Sequence, residues 1–144
     1  MKIEEILDQS EKDLKLDLSD LGRESIRTPE IFHKYMKEYT QMKKKYNQLQ
    51  NLKRTILKDL FLYYSGKGDA NTIKRKGDFD YKILKSDIQI FLDADEEMQE
   101  VLTKLNEVEE SLESLQKILD QVKDRTWTIK NIVAYMQYTS GVGG

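Results

Sequence analysis

The sequence lacks cysteine altogether and contains only one proline and one histidine among its 144 residues. Without cysteine the chain can form no disulfide, no thiolate nucleophile and no cysteine-based zinc site. His33 alone cannot supply the several imidazoles of a histidine metal centre, so we interpret it as an ordinary residue on a helix face. The absence of disulfides fits a reducing compartment, and a cytoplasmic location is expected.

Other absences narrow the function further. No apolar run approaches the roughly 20 residues that span a bilayer, and the acidic, amphipathic start MKIEEILDQSEKDLKLD is unlike a signal or transit peptide. Gly66-Lys67-Gly68 contains glycines and a lysine, but the phosphate-loop pattern GxxxxGK[ST] is absent. No convergent polar set is evident. We therefore predict a protein with no catalytic residues, no metal and no cofactor, which does not associate with a membrane.

Charge is divided sharply along the chain, although the formal net charge is only −2. Residues 34–58 contain eight basic residues and one acidic residue, a net charge of +7. Residues 93–124 contain eleven acidic residues and three lysines, a net charge of −8. Such asymmetry indicates a part that binds a polyanion and a second part with another role.

Few helix-breaking residues interrupt the long runs rich in Lys, Glu and Leu, which favours an all-α fold. A short first helix is predicted over residues 2–15, followed by a connection over residues 16–27. Thr28-Pro29-Glu30 is typical of a helix start, because proline suits the first helical position. Apolar residues then recur at steps of three and four up to Ser65-Gly66, which predicts one helix of about 37 residues. Residues 69–80 are expected to form a flexible basic loop.

The second half of the chain is dominated by a heptad repeat. Residues 81–92 fit either a strand or a helix, and helix is favoured because no partner strand is evident. Asp93 with Glu96 resembles a capping pair that begins another long helix. We predict a helix with coiled-coil-like packing, within a helical part of residues 81–144 that follows a basic part of residues 1–80. The seam of this helix is predicted to consist of Leu105, Val108, Leu112, Leu115, Leu119, Val122, Ile129, Val133 and Met136.

The basic helix combines cations with aromatic side chains near its end. Single-stranded nucleic acid is held by cations that meet phosphates and by flat side chains on which bases stack. Tyr63 and Tyr64 are adjacent and point about 100° apart on a helix, so one of them is predicted to be free to stack. The nucleic-acid-binding residues predicted from this mixture are Lys53, Arg54, Lys58, Tyr63, Tyr64 and Lys67.

A different class of function is compatible with the same charges. The basic helix could pair with the acidic helix, within one chain or between chains, in a structural coiled-coil adaptor that has no role with nucleic acid. In that case the basic residues would be neutralised by protein and would have no affinity for DNA.

Three segments stand out for their order and spacing: Leu62-Tyr63-Tyr64-Ser65-Gly66-Lys67-Gly68-Asp69, Leu92-Asp93-Ala94-Asp95 and Ile129-Lys130-Asn131-Ile132. In these segments the chain resembles the UvsY recombination mediators of T-even-type phages. Their order and spacing match the family over essentially the whole chain. The resemblance implies a protein that binds single-stranded DNA as a closed ring, hexameric or heptameric. It also implies that the protein loads the phage recombinase in place of the phage single-strand-binding protein, in the cytoplasm of the infected host cell.

The resemblance also assigns particular residues. The family's DNA-contacting basic residues correspond to Lys43, Lys44 and Lys58, all present here, and the C-terminal helix would be the oligomerisation element. One position departs from the family pattern, since Leu60 stands where a second basic residue is expected two positions after Lys58.

Overall fold

The structure is a computed structural model that describes residues 2–141, and all regular secondary structure in this range is helical. This confirms the predicted all-α class. The α-helices are α1 (Ile3–Leu14), α2 (Leu21–Tyr64), α3 (Ala70–Lys76), α4 (Ile88–Ala94) and α5 (Glu96–Thr139), with a 3₁₀ turn at Lys85–Asp87 before α4. The two 44-residue helices α2 and α5 dominate the chain, as the apolar periodicity predicted.

Helix α1 agrees with the predicted first helix, but the predicted start of the second helix was wrong. Helix α2 begins at Leu21, and Pro29 lies inside it. The Asp20 carboxylate accepts a hydrogen bond from the Arg23 N–H (3.1 Å) and so caps the new first turn. Asp20 was therefore available as a capping residue eight positions before Thr28. The prediction chose Thr28 instead, because Pro29 is typical of a first helical position.

The chain divides into two compact units, which we call the terminal unit (residues 1–43 and 110–144) and the central unit (residues 44–109). This structural division differs from the functional division predicted at residue 80, since the central unit spans that point. A basic domain of residues 1–80 and an oligomerisation domain of residues 81–144 remain a prediction, and residues 142–144 of the latter lie outside the described residues.

The core of the terminal unit joins three helices. Helix α1 contributes Ile6, α2 contributes Ile31 and Tyr35, and α5 contributes Leu115, Ile118, Leu119 and Val122. Burial of these apolar side chains removes them from water and is the main force that holds the three helices together. The Tyr35 hydroxyl donates to the Asp13 carboxylate (2.6 Å), which also pairs with Lys34 (2.6 Å).

An ion pair is buried beneath the same three helices. The Arg125 guanidinium contacts the Glu24 carboxylate at 3.0 Å, and their side chains are 2% and 4% exposed. Arg125 also donates to the Thr28 hydroxyl (3.1 Å) and to backbone carbonyls of Asp13 (3.3 Å), Leu14 (3.1 Å) and Glu24 (3.1 Å). One side chain of α5 thus satisfies the last carbonyls of α1 and fixes the first turns of α2.

Most of the predicted oligomerisation seam is buried inside one copy of the chain. Seven of its nine residues are buried: Leu105, Val108, Leu112, Leu115, Leu119, Val122 and Ile129. Their heptad spacing is explained by packing against helices of the same protomer. Val133 and Met136 are 38% and 41% exposed, so only the last part of the seam presents apolar surface to solvent. The role of these residues in oligomerisation stays a prediction.

The core of the central unit joins α2, α4 and α5 through Leu60, Ile88, Leu92, Met98 and Val101. Leu60 is completely buried here. It lies about 200° around the helix from Lys58, because each residue of an α-helix turns by about 100°. Leucine at this position of the chain therefore serves packing, whereas Lys58 faces solvent with 72% of its side chain exposed.

The segment between α2 and α5 is more ordered than predicted. Residues 69–80 were expected to be a flexible loop, but they contain α3, whose N-cap Asp69 accepts from the Thr72 N–H at 2.7 Å. Helix was correctly preferred to strand for residues 81–92, although it begins only at the 3₁₀ turn. The expected cap at Asp93 was wrong, because Asp95 directly precedes α5 and accepts from the Glu97 N–H (2.9 Å).

Candidate nucleic-acid interface

Three of the predicted DNA-binding cations share one side of α2 within the central unit. With about 100° per residue, Lys44, Arg54 and Lys58 fall within an arc of about 80°, and Lys43 precedes them as the last residue of the first segment of the terminal unit. We call Lys44, Arg54 and Lys58 the cationic arc. Residues Leu49, Ile56 and Leu60, which pack in the central core, lie on the opposite side of the helix. Because the core fixes the rotation of α2, it also fixes the direction in which the cationic arc points.

The polar contacts of Arg54 and Lys58 are local. Arg54 donates to the Asn51 side chain (3.1 Å), and the Lys58 ammonium lies 3.8 Å from the Asp59 carboxylate. Such an exposed pair is worth little in water and does not hold the lysine in place. Lys53 does not belong to the arc, because it lies about 100° from Arg54 and is half-buried toward the core side.

The end of α2 is built by two glycines of the YYSGKG segment. The Lys67 N–H donates to the Leu62 carbonyl (2.8 Å) and the Gly66 N–H to the Tyr63 carbonyl (3.1 Å), the pattern of a Schellman motif. Gly66 has a φ of +81°, which side chains rarely adopt. A Cβ on Gly68 would lie 3.2 Å from Tyr63, so the chain passes close to the helix end there.

Tyr63 packs within the central unit in this structure, and its role in nucleic-acid binding stays a prediction. Its side chain is 6% exposed, and its hydroxyl donates to the Gly77 carbonyl at 2.9 Å. Tyr64 is half-buried, and its hydroxyl donates to the Asp95 carboxylate at 2.6 Å. The ring of Tyr64, rather than that of Tyr63, keeps an exposed part. Lys67 is exposed directly after them.

Asp95 connects three elements of the central unit. Its carboxylate caps α5, accepts from Tyr64 and pairs with Lys76 of α3 at 2.7 Å, where the Asp95 side chain is 1% exposed. Burial alone would raise its pKa, but the hydrogen bonds from Lys76 and Tyr64 outweigh burial and hold the pKa of Asp95 below the usual range. The carboxylate thus stays ionised at neutral pH. Burial, together with the bond to Asp95, raises the pKa of Tyr64.

A cavity of about 540 Å³ lies beside this carboxylate, between α2, α3, α4 and the start of α5. It is lined by Tyr63, Tyr64, Arg75, Lys76, Phe79, Phe91, Glu96 and Glu97. We call it the aromatic cavity. Sequence reasoning missed Phe79 and Phe91, which lie outside the basic helix. Their signal was the recurrence of aromatic residues between positions 63 and 91, which became meaningful only when the fold brought the rings together.

Residues 2–141 contain no group of three His, Asp or Glu side chains placed to hold a metal ion. In the same part of the chain, no helix is long and apolar enough to cross a membrane.

Comparison with known proteins decides the family. Residues 9–142 match the family model described as recombination, repair and ssDNA binding protein UvsY. The chain belongs to the UvsY family. The recombination protein UvsY of Enterobacteria phage T4 is 26% identical over 141 residues, which cover 98% of this chain and 99% of the T4 protein.

Solved UvsY structures share the fold. A crystal structure of the bacteriophage T4 recombination mediator protein UvsY superposes with a TM-score of 0.86 at 26% identity, covering 97% of this chain and 98% of that one. A second lattice form of the T4 protein gives 0.86 at 24% identity, with 96% and 99% covered, and supports the fold alone. The all-helical architecture is thus a property of the UvsY family.

Proposed function

We propose that this protein is a recombination mediator that binds single-stranded DNA as a homo-oligomer. In this role it promotes loading of a recombinase in place of the single-strand-binding protein, in the cytoplasm of the infected host cell. Membership of the UvsY family, whose description names recombination, repair and ssDNA binding, supports this role. The T4 relative is named a recombination mediator.

The cationic arc is the observation that carries the proposal. Three cations of the central unit, Lys44, Arg54 and Lys58, project away from the central core, so they can meet phosphates of a flexible strand. The adaptor alternative is not favoured, since Arg54 and Lys58 make their polar contacts to Asn51 and Asp59 on α2 itself. Both contacts are weak enough for phosphates to replace them.

Assembly would multiply the cationic arc. One subunit makes few phosphate contacts and is expected to bind weakly, but a hexameric or heptameric ring presents several arcs at high local concentration. The exposed apolar residues at the end of α5, Val133 and Met136, support such an assembly. A strand held along the ring would be presented to the recombinase in an extended form.

The test measures binding of labelled single-stranded and duplex oligonucleotides by fluorescence anisotropy across a salt series, with the oligomer mass determined on the same sample. Wild-type protein should prefer single strands, and its affinity should fall with salt as counterions are released. Replacement of Lys44, Arg54 and Lys58 by Ala should weaken binding and reduce the salt slope by about 0.7 for each phosphate that the protein no longer neutralises.

A matched control replaces three exposed lysines that are not part of the arc: Lys82, Lys117 and Lys123. It changes the net charge by the same amount and should leave most of the affinity and the salt slope intact. If both triple variants lose affinity equally, general charge rather than the cationic arc binds the DNA. A well-folded multimer with no affinity at low salt would refute the proposed function.

A further inference from the structure

Three aromatic rings pack against one another in the wall of the aromatic cavity. Their centroids lie 5.0 Å (Tyr64 to Phe79), 5.6 Å (Tyr64 to Phe91) and 5.8 Å (Phe79 to Phe91) apart. All three rings are half-buried, so part of each ring is exposed. The volume of about 540 Å³ falls within the range of small-ligand sites, which is roughly 300 to 1,000 Å³.

Most charges around the cavity are already paired. Arg75 donates two hydrogen bonds to the Glu97 carboxylate (2.6 and 3.2 Å), and Lys76 pairs with the buried Asp95 at 2.7 Å. The Lys76 ammonium also lies 5.9 Å from the centre of the Tyr63 ring. Protein groups therefore already fill the role that a bound cation or anion would have. The exposed parts of the rings and the carboxylate of Glu96 remain available to a ligand. This combination suits a flat, uncharged ligand with polar groups at its edge.

We propose that the aromatic cavity receives one unpaired base of the bound DNA strand. This inference rests on the proposed function and names a subsite within it. The exposed parts of the Tyr64, Phe79 and Phe91 rings offer stacking surfaces, and the carboxylate of Glu96 can accept a hydrogen bond from a base N–H, such as the N3–H of thymine. Lys67 and Lys74 are exposed on the two segments that line the cavity and can meet the flanking phosphates.

This subsite would explain a preference for single strands. The cationic arc recognises phosphates, which duplex DNA also has, and so it discriminates poorly between the two forms. A base in a duplex is stacked and paired, and it can enter a cavity only after it is unstacked and flipped out, which costs free energy. A base in a single strand enters at much smaller cost.

The experiment compares two oligonucleotides of equal length on the full-length oligomer. One is oligo-dT, and the other has abasic sites at its central positions, so it keeps every phosphate and lacks the bases. Wild-type protein should bind oligo-dT more tightly, by about five- to tenfold, the lower part of the range measured for base–aromatic stacking. The salt slopes should be equal, because the phosphates are the same.

Phe79→Leu removes the most central ring and keeps an apolar side chain of similar volume. It should erase the preference for oligo-dT and leave affinity for the abasic strand unchanged. Phe91→Leu provides a second variant if circular dichroism shows that Phe79→Leu does not fold. Phe32→Leu is the matched control, since Phe32 packs in the terminal unit with its ring against His33, and it should keep the wild-type preference.

The outcomes separate this inference from the proposed function. Equal binding of both strands by wild-type protein, with a normal salt slope, would overturn the base subsite and leave phosphate binding intact. Retention of the preference in folded Phe79→Leu and Phe91→Leu would overturn it as well. Failure of both strands to bind at low salt would refute the proposed function itself.

Discussion

Arg125 shows how one residue can hold several elements together. Its guanidinium reaches α1, α2 and the Glu24 carboxylate, and nearly all of it is withdrawn from water. A buried ion pair adds little stability compared with well-packed apolar residues, because desolvation opposes the attraction. Loss of one partner is far more costly, since it leaves a buried charge and several carbonyls without donors.

We expect Arg125→Met to lower the free energy of unfolding by roughly 3 kcal/mol at neutral pH. Arg54→Met is the control, because the exposed Arg54 donates one hydrogen bond to Asn51, and it should change stability by less than about 0.5 kcal/mol. Urea unfolding at one fixed protein concentration measures both. Concentration must be held constant because assembly contributes to apparent stability. Equal stability of the two variants would contradict the role given to Arg125.

The pH dependence of the same pair follows from Glu24. Burial would raise its pKa, but hydrogen bonds from Arg27, from the Asp17 N–H and from Arg125 outweigh burial and hold the pKa below the ordinary 4.5. A carboxylate with a lowered folded-state pKa stabilises the fold fully above 4.5, and this stabilisation is lost as pH falls through the folded-state pKa. In Arg125→Met one of the hydrogen bonds that lower the pKa of Glu24 is lost, so this carboxylate takes up a proton at a higher pH than in wild type. The difference in the free energy of unfolding between wild type and Arg125→Met should therefore shrink as the pH of the urea series falls toward 4.

At the scale of elements, glycines decide where helices end. Gly77 ends α3 with a φ of +87°, its N–H donates to the Ile73 carbonyl (2.7 Å), and its carbonyl accepts from Tyr63. Gly22 lies within α2, and an added Cβ there would meet only the Asp20 carboxylate at 3.9 Å. The same substitution should therefore have opposite effects at the two positions.

Gly77→Ala should destabilise the protein by about 1 to 3 kcal/mol, because alanine is strained at this backbone conformation. Gly22→Ala should be neutral or stabilising by up to about 1 kcal/mol, because alanine restricts the unfolded chain and favours helix. Urea unfolding of both variants beside wild type gives the comparison. A stabilised Gly77→Ala would show that the turn after α3 can adopt another conformation.

Long elements were predictable from the sequence, and short ones were not. The spacing of residues such as Leu49, Ile56 and Leu60 predicts α2, because the recurrence of apolar residues at helical intervals can be read from nearby positions in the sequence. Helix α3 has only seven residues, and its existence depends on contacts distant in sequence, including the Lys76–Asp95 pair. Pro29 misled the prediction for a related reason, since Arg125 holds the turns around it and bonds Thr28 from 97 residues away. The aromatic cavity could not be predicted either, because its rings come together only in the folded chain.

At the scale of the whole molecule, the heptad repeat can serve packing within one chain or contact between chains. A regular apolar seam predicts that a helix packs against another helix, but it does not state whether the partner belongs to the same chain. The seam residues up to Ile129 are buried within the protomer. Beyond that point α5 exposes Val133, Tyr135, Met136 and Tyr138, and exposed apolar side chains close together mark a candidate surface for contact with another protein.

We therefore expect Val133→Glu combined with Met136→Glu to reduce oligomer mass, measured by light scattering after size-exclusion chromatography. Charged side chains would be buried without partners if the assembly formed through this surface. Affinity for long single strands should fall with the mass, because separate arcs lose their avidity, whereas affinity for a strand that contacts one subunit should change little.

Leu84→Glu is the control, because Leu84 is an exposed apolar residue of the central unit and should not affect mass. If the double variant keeps the wild-type mass while Leu84→Glu dissociates the assembly, the interface lies in the central unit instead. The DNA measurement gives an independent check on either result. Dissociated subunits with undiminished affinity for long strands would mean that each protomer binds DNA strongly alone, and that the ring has a purpose other than avidity.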